Sequence, residues 1–170
     1  FSTGAVANGQ SCLEKSATGF VLGVNAFHFE GRARIVTLST AAEEFGFVMG
    51  LHDAITLNPV DGVYFLYNRL NYGTNWQCVT SSNSTMTVSD SGIAVVANTW
   101  YRIAFTVNAA GTEVIFYING NRVATITTNI PTGAGRTTGP RILLLKSAGT
   151  TARTAQVDYW LHKIVYSTPR

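Results

Sequence analysis

The stretch that decides the fold runs from Trp100 to Val123 and reads WYRIAFTVNAAGTEVIFYINGNRV. Its first part alternates as a half-buried strand does, with side chains 101, 103, 105 and 107 on one face and 102, 104 and 106 on the other. The second part, Val114–Ile118, is apolar on both faces, which favours a central place in a sheet. Asn119-Gly120 is typical of a tight two-residue turn, so we expect consecutive antiparallel strands here.

Similar short segments, rich in β-branched and aromatic residues, recur along the rest of the chain. They span residues 19–24, 26–30, 33–38, 45–51, 62–67, 76–80, 141–145 and 155–166. In the last segment, Val157, Tyr159 and Leu161 alternate with their neighbours, which predicts that these side chains share one face. Only Ala41–Glu44 has good helix propensity, and it amounts to one turn at most. The pattern predicts an all-β fold, a two-layer antiparallel β-sandwich of the jelly-roll type.

The chain has 170 residues, which is about the length of one domain. We assign residues 19–170 to a single β-sandwich domain. Residues 1–18 form an N-terminal segment that leads into it and can contribute a short strand. Because the sequence begins at Phe1 without an initiator Met, we expect a processed piece, such as the C-terminal module of a longer fibrous or secreted protein.

Composition argues against two classes of partner. The net charge of +3 arises from 12 basic and 9 acidic residues scattered along the sequence, which indicates no phosphate-binding patch and no nucleic-acid partner. No apolar run approaches the roughly 20 residues of a bilayer span, so we expect no membrane insertion. Cys12 and Cys78 could form a disulfide or remain two buried thiols, since their spacing matches no metal or redox motif.

The acidic residues do not form the patterns that glycoside hydrolysis needs. Two carboxylates must lie about 5 to 10 Å apart, which on one strand means two or four positions apart. Glu43 and Glu44 are adjacent, and Asp53 and Asp61 are eight apart. We therefore predict no catalytic residue and a protein that is not an enzyme.

Metal and cofactor motifs are also missing from the sequence. The three histidines, His28, His52 and His162, are too widely separated for a metal site by local spacing. Asp53 and Asp61 beside His52 could bind calcium, but they offer few oxygens for an ion that takes six to eight ligands. No phosphate-binding or dinucleotide-binding motif occurs, and we predict no metal and no cofactor.

Three parts of the sequence resemble the concanavalin A-like jelly roll that lectins, laminin G-type modules, polysaccharide lyases and glucanases share. They are Trp100–Ile103, Val114–Gly120 with the following Val123, and Val157–Tyr159. Within that superfamily, two motifs are similar to C-terminal receptor-binding domains of phage tail fibres and spikes, and to bacterial adhesive fibre tips. The first reads Phe-Gly-X-X-X-Gly-Leu-X-Asp at residues 45–53, and the second reads Gly-Val-Tyr-Phe-X-Tyr at residues 62–67.

This resemblance implies binding of a cell-surface glycan at a fibre tip, often as a homotrimer, and an extracellular location on a virion or cell-surface fibre. The lyases of this superfamily place a Tyr, a His, a Gln and an Arg on the concave sheet. The Gln-X-His strand that they would need is missing here, although the closing strand holds Tyr159 and His162.

The segment from residue 67 to residue 76 has the composition of a sugar-binding loop. Sugars stack on aromatic rings while planar polar groups hydrogen-bond to their hydroxyls. The candidate ligand-binding residues are Asn68, Arg69, Asn71, Tyr72, Asn75 and Trp76. In the alternative interpretation, the asparagines only form turns, and Trp76 ends its strand facing inward. We predict that Trp100 and Trp160 pack in the core or at an interface, and that Arg136 is either solvated or in contact with an acidic polysaccharide.

Three hypotheses follow. The leading one is a non-catalytic, carbohydrate-binding adhesin head at the C-terminal tip of a fibre protein, which grips glycan through its loops and the concave sheet. The second is a polysaccharide lyase or glycoside hydrolase on the same fold. The third is a structural trimerisation or capping module of a fibre, whose exposed apolar residues contact neighbouring subunits.

Overall fold

Eleven strands and one single-turn helix make up the part of the chain that the computed structural model describes, residues 1–15 and 19–166. The strands are β1 (Gln10–Glu14), β2 (Ala26–Ile35), β3 (Phe45–His52), β4 (Gly62–Asn68), β5 (Asn75–Ser82), β6 (Thr85–Ala94), β7 (Tyr101–Val107), β8 (Val114–Ile118), β9 (Asn121–Ile126), β10 (Gly139–Lys146) and β11 (Ala155–Val165). The helix, α1, spans Arg69–Tyr72. Within the described residues, no helix is long and apolar enough to cross a membrane.

The strands form two antiparallel sheets. One has six strands in the order β1-β10-β3-β4-β5-β6, and the other has five in the order β11-β2-β7-β8-β9. The predicted all-β, two-layer sandwich is confirmed. The N-terminal segment contributes β1, which pairs with β10 at the edge of the six-stranded sheet.

The core fills the space between the two sheets with aromatic and branched side chains. Phe65 of β4 meets Phe116 of β8 edge to face, with ring centroids 5.3 Å apart. Phe29 of β2 stacks on Phe105 of β7 at 5.2 Å. All four rings are fully buried. Burial of each such side chain stabilises the fold by roughly 1.5–3 kcal/mol, and the Phe65–Phe116 contact joins the two sheets.

The region from β7 to β9 folds as its sequence predicts. Strand β8 lies between β7 and β9, in register through the pairs Phe105↔Phe116 and Phe116↔Ala124. The turn residues Asn119 and Gly120 have φ angles of 53° and 86°. These positive values are those of a two-residue hairpin turn, which Asn and Gly adopt at little steric cost.

Helix α1 lies inside a segment that the sequence predicts as loop, whereas no helix forms at Ala41–Glu44. The side chain of Asn68 accepts a hydrogen bond from the backbone N–H of Asn71 and so caps the turn. Gly73 ends it with a φ of 78°, and its N–H donates to the carbonyl of Arg69. Four residues with these two caps suffice for one turn, although their propensity is unremarkable.

The prediction for the closing strand is wrong in one respect. A β-bulge between Val157 and Tyr159 places Asp158 out of register. Val157 consequently packs against the core, while Tyr159 and Leu161 pair with Arg32 and Glu30 on the outer face. An inserted residue reverses the alternation that follows it.

The two cysteines are both free. Cys12 lies on edge strand β1 and packs on the outer side of the six-stranded sheet. Cys78 lies on β5 within the core, where burial raises the pKa of its thiol. Three strands separate β1 from β5, so the disulfide left open by the sequence is not formed.

Candidate functional site

Part of the predicted site comes together at an exposed corner between β4 and β5. We call it the α1 corner, and it comprises Asn71, Tyr72, Asn75, Gln77 and Asp90. Asn71 is exposed and Tyr72 is half-buried. The side-chain amide of Asn75 donates to both carboxylate oxygens of Asp90, at 3.0 and 3.1 Å. The amide of Gln77 donates to the carbonyl of Asn75 at 3.2 Å and approaches that of Tyr72 at 3.5 Å, which ties the corner to β5.

The other predicted residues serve the fold. Asn68 is buried as the cap of α1. Arg69 forms an ion pair with Glu44, with 2.7 Å between Nη2 and Oε1. Trp76 is fully buried, and its ring meets those of Phe47 and Tyr101 edge to face. The structure therefore does not support Trp76 as a surface for sugar stacking, because its strand turns the indole into the core.

Asp90 is a member of the corner that the sequence analysis missed. It lies 15 residues beyond Asn75 and reaches it through the pairing of β5 with β6, in which Gln77 is opposite Asp90. The signal that could have found it is the turn at Asn83 and Ser84, whose φ angles of 53° and 64° close this hairpin.

The outer face of the six-stranded sheet is apolar and covered at its centre. Its central side chains are fully buried; they are Val48, Tyr64, Leu66, Val79 and Leu143. Leu57, from the connection between β3 and β4, and Tyr72 pack against this cluster. A Cβ atom added to Gly46 would lie only 2.6 Å from the methyl groups of Leu57. The 53–60 connection thus covers the outer face of the six-stranded sheet, so a glycan cannot lie directly on the centre of this face.

Three buried polar atoms under this cover have no hydrogen-bond partner among the described residues: His52 Nε2, Asp53 Oδ1 and Tyr64 Oη. The rings of His52 and Tyr64 lie 6.1 Å apart. The other ring nitrogen of His52, Nδ1, donates to the carbonyl of Ala54 at 2.7 Å. Burial lowers the pKa of His52 to about 4 and raises the pKa of Tyr64, so both side chains are neutral at pH 7.

Gln77 and Arg141 lie on the same outer face as His52 and Tyr64. A Tyr, a His, a Gln and an Arg therefore share one face of this sheet, but they come from four different strands. Tyr159 and His162 of β11, in contrast, belong to the other sheet. Arg141 donates to Glu14 and to the backbone carbonyl of His52, each at 2.8 Å. Sequence spacing could not reveal this set, because only strand pairing joins its members.

Most carboxylates already have partners. Seven of the nine accept hydrogen bonds or form ion pairs. Glu43 and Glu44 point to different partners, Lys146 and Arg69. Asp61, which the sequence analysis weighed as a calcium ligand, pairs with Arg136 at 2.9 Å. Within residues 1–15 and 19–166, no cluster of three or more His, Cys, Asp or Glu side chains could hold a metal ion.

Two of the tryptophans differ in their environment. Trp160 packs against the core, as predicted. Trp100 lies outside the core: it is half-buried, and the guanidinium groups of Arg32 and Arg34 lie 5.0 and 4.8 Å from its ring centroid. Both arginines belong to the outer face of the five-stranded sheet, so Trp100 is a surface residue held by cations.

A comparison with known protein families matches residues 1–158 to the family described as SO2946-like, C-terminal domain. The chain belongs to this family. Its fold is the concanavalin A-like jelly roll. No curated protein matches the sequence.

Three solved structures share this fold at low sequence identity. A protein of unknown function, SO2946 from Shewanella oneidensis MR-1, is 16% identical over 99% of this chain and 70% of its own, with a TM-score of 0.62. The carbohydrate-binding module CBM66 from Bacillus subtilis is 16% identical over 93% of this chain and 84% of its own, with a TM-score of 0.58. Family 7 alginate lyase A1-II′ is 11% identical over 94% and 74%, with a TM-score of 0.60.

Proposed function

We propose that this chain is a glycan-binding module without catalytic activity and that its ligand binds at the α1 corner. The observation that carries the proposal is the Asn75–Asp90 pair, which lies beside the exposed Asn71 and the half-buried Tyr72. Amide and carboxylate groups can bond to sugar hydroxyls, and an aromatic ring offers an apolar face. The likeness to a carbohydrate-binding module supports this class of ligand.

Two observations favour binding over cleavage. The centre of the outer face of the six-stranded sheet is covered by Leu57 and Tyr72. In addition, seven of the nine carboxylates are engaged in ion pairs and hydrogen bonds. General acid and base groups must reach the reacting bond, so these side chains are better suited to holding the fold.

A glycan array followed by titration tests the site. Asn75→Ala and Asp90→Ala should each weaken binding of the glycans that the wild type selects by about tenfold or more, because a hydrogen bond to a charged group contributes about 1.5–3 kcal/mol. Asn121→Ala is the matched control, since Asn121 is exposed on β9 in the other sheet. Wild-type protein that binds no glycan, or variants that bind as well as it does, would contradict the proposal.

For the parent protein, we propose an adhesin head at the tip of a virion or cell-surface fibre, assembled as a homotrimer. The support is the likeness of the motifs at residues 45–53 and 62–67 to fibre-tip domains. A solution mass near three times the chain mass of 18.3 kDa, measured by light scattering, is the expected result. A monomer that binds glycan would agree with the proposed binding function and contradict the proposed trimer.

A polysaccharide lyase is the second candidate, favoured by the presence of His52, Tyr64, Gln77 and Arg141 on one sheet face. In such a reaction a base removes the proton next to the sugar carboxylate, the glycosidic carbon–oxygen bond breaks, and the leaving oxygen takes a proton. The unsaturated product absorbs ultraviolet light. Growth of this absorbance with a polyuronate, and its loss in Tyr64→Phe, would establish the lyase and overturn the non-catalytic proposal.

A further inference from the structure

The net charge of the chain is concentrated on one surface. The outer face of the five-stranded sheet, which we call the basic face, carries five cations and two anions: Arg32, Arg34, Arg102, Arg122 and Lys163, with Glu30 and Asp158. The other described residues include six basic and seven acidic ones, so no net positive charge remains outside this face. This face therefore carries a net charge of +3, although its cations are scattered along the sequence.

Trp100 organises one end of the basic face. Arg32 and Arg34 both lie over its ring, and each is also tethered at its other side. Arg32 pairs with Asp158 at 2.9 Å, and Arg34 donates to the side chain of Gln156. A guanidinium stacked on an indole keeps N–H groups at its edge for carboxylate or sulfate oxygens. The two arginines are thus fixed in place before any ligand arrives.

Arg102 adds a like charge directly opposite one of these arginines. In the pairing of β2 with β7, Arg32 is the cross-strand partner of Arg102. Like charges in opposite positions of a sheet destabilise it. Arg102 is exposed, and one of its guanidinium nitrogens lies against the Gly120 turn. An anionic group bound between the two arginines would relieve their repulsion.

We propose that the basic face is a second binding surface, for the anionic groups of a carboxylated or sulfated polysaccharide. It goes beyond the α1 corner, which lies on the other sheet. Among the cations are the half-buried rings of Tyr117 and Tyr159, the latter held by a 2.6 Å hydrogen bond to Glu30. Glu30 and Asp158 can accept hydrogen bonds from the many hydroxyl groups of a polysaccharide. This mixture favours a hydroxylated polyanion over a nucleic acid.

The test measures binding of the whole chain to immobilised polygalacturonate, dextran sulfate and neutral dextran at low salt. The first two probes separate carboxylate from sulfate recognition, and the third tests the need for charge. We expect binding to at least one anionic polymer, none to dextran, and an affinity loss of about tenfold in the double variant Arg102→Gln/Arg122→Gln. Lys15→Gln, which removes an exposed cation elsewhere, should change the affinity less than about twofold.

A stability measurement separates loss of binding from loss of fold. Arg102→Gln removes the repulsion from Arg32, so its urea midpoint should equal or exceed that of the wild type. Equal binding by the double variant and the wild type would overturn the proposal, as would tighter binding to duplex DNA or to vesicles of anionic phospholipid. The variants Asn75→Ala and Asp90→Ala should leave polyanion binding unchanged. The proposal for the α1 corner and the proposal for the basic face can therefore fail separately.

Discussion

Lys146 is a fully buried cation whose charge is compensated by a loop residue. Its ammonium lies 3.2 Å from Oε2 of Glu43 and donates to the carbonyl of Thr151 at 2.7 Å. Glu43 also accepts hydrogen bonds from the backbone N–H groups of Thr150 and Thr151. One carboxylate thereby fastens the connection before β11 to the connection before β3.

Glu43→Gln should destabilise the protein at pH 7, because it leaves the buried Lys146 ammonium without its counter-charge. Desolvation raises the pKa of Glu43, but hydrogen bonds from Thr151 and Lys146 outweigh it and lower the pKa from 4.5 to about 2. A lowered pKa stabilises the fold above pH 4.5, and this contribution is lost as pH falls through about 2. Urea unfolding at pH 7, 4 and 2 should find a gap between wild type and variant that narrows with falling pH. A gap independent of pH would contradict the ion pair.

Single residues were the hardest level to predict from the sequence. Tyr72 and Trp76 look equally suitable as sugar platforms, yet Tyr72 lies at the surface and Trp76 lies in the core. The difference depends on one-residue register and on the cap at Asn68, which sets α1 before β5 begins. The sequence left Trp100 open between core and interface for a related reason, since it does not show that two arginines of β2 lie over the ring.

Elements were predicted well wherever their side chains alternate without interruption. Strands β7 and β8 and the Asn119-Gly120 turn follow the pattern because each local preference agrees with its place in the sheet. The bulge at Asp158 broke the prediction for β11, since one extra residue leaves the composition of a strand unchanged. The position of the 53–60 connection over the outer face could not be predicted either, because it depends on contact between Leu57 and Gly46, which lies 11 residues earlier.

The contact between Gly46 and Leu57 can be tested by substituting Gly46, with Gly50 of the same strand for comparison. A Cβ at Gly46 would meet the end of the Leu57 side chain, which can move, whereas a Cβ at Gly50 would lie 2.5 Å from the backbone oxygen of Val63. Gly46→Ala should cost about 1 kcal/mol and Gly50→Ala about 3 kcal/mol or more of unfolding free energy. In Gly46→Ala, amide hydrogen exchange should rise in residues 53–60 and stay unchanged in β8. Unchanged exchange in 53–60 would mean that Leu57 does not hold this segment down.

At the scale of the whole molecule, the distribution of charge over the surface could not be predicted from the sequence. The basic residues look scattered along the chain, and their excess looks incidental. Antiparallel pairing of β2, β7, β9 and β11 then brings five of them to one face. The net charge of the sequence cannot reveal this, because it does not tell on which face of the molecule each charged residue lies. The order and pairing of the strands decide that.

Retention on a sulfonated cation exchanger tests this uneven distribution of positive charge without any biological ligand. Arg102→Gln and Lys15→Gln each lower the net charge from +3 to +2, so a molecule with evenly spread charge would elute identically in both variants. Because charges interact over only about 8 Å at physiological salt, a resin binds the basic face rather than the average surface. Arg102→Gln should therefore elute at clearly lower salt than the wild type, and Lys15→Gln should elute close to it. Co-elution of the two variants would mean that the basic face does not govern how this molecule meets an anionic surface.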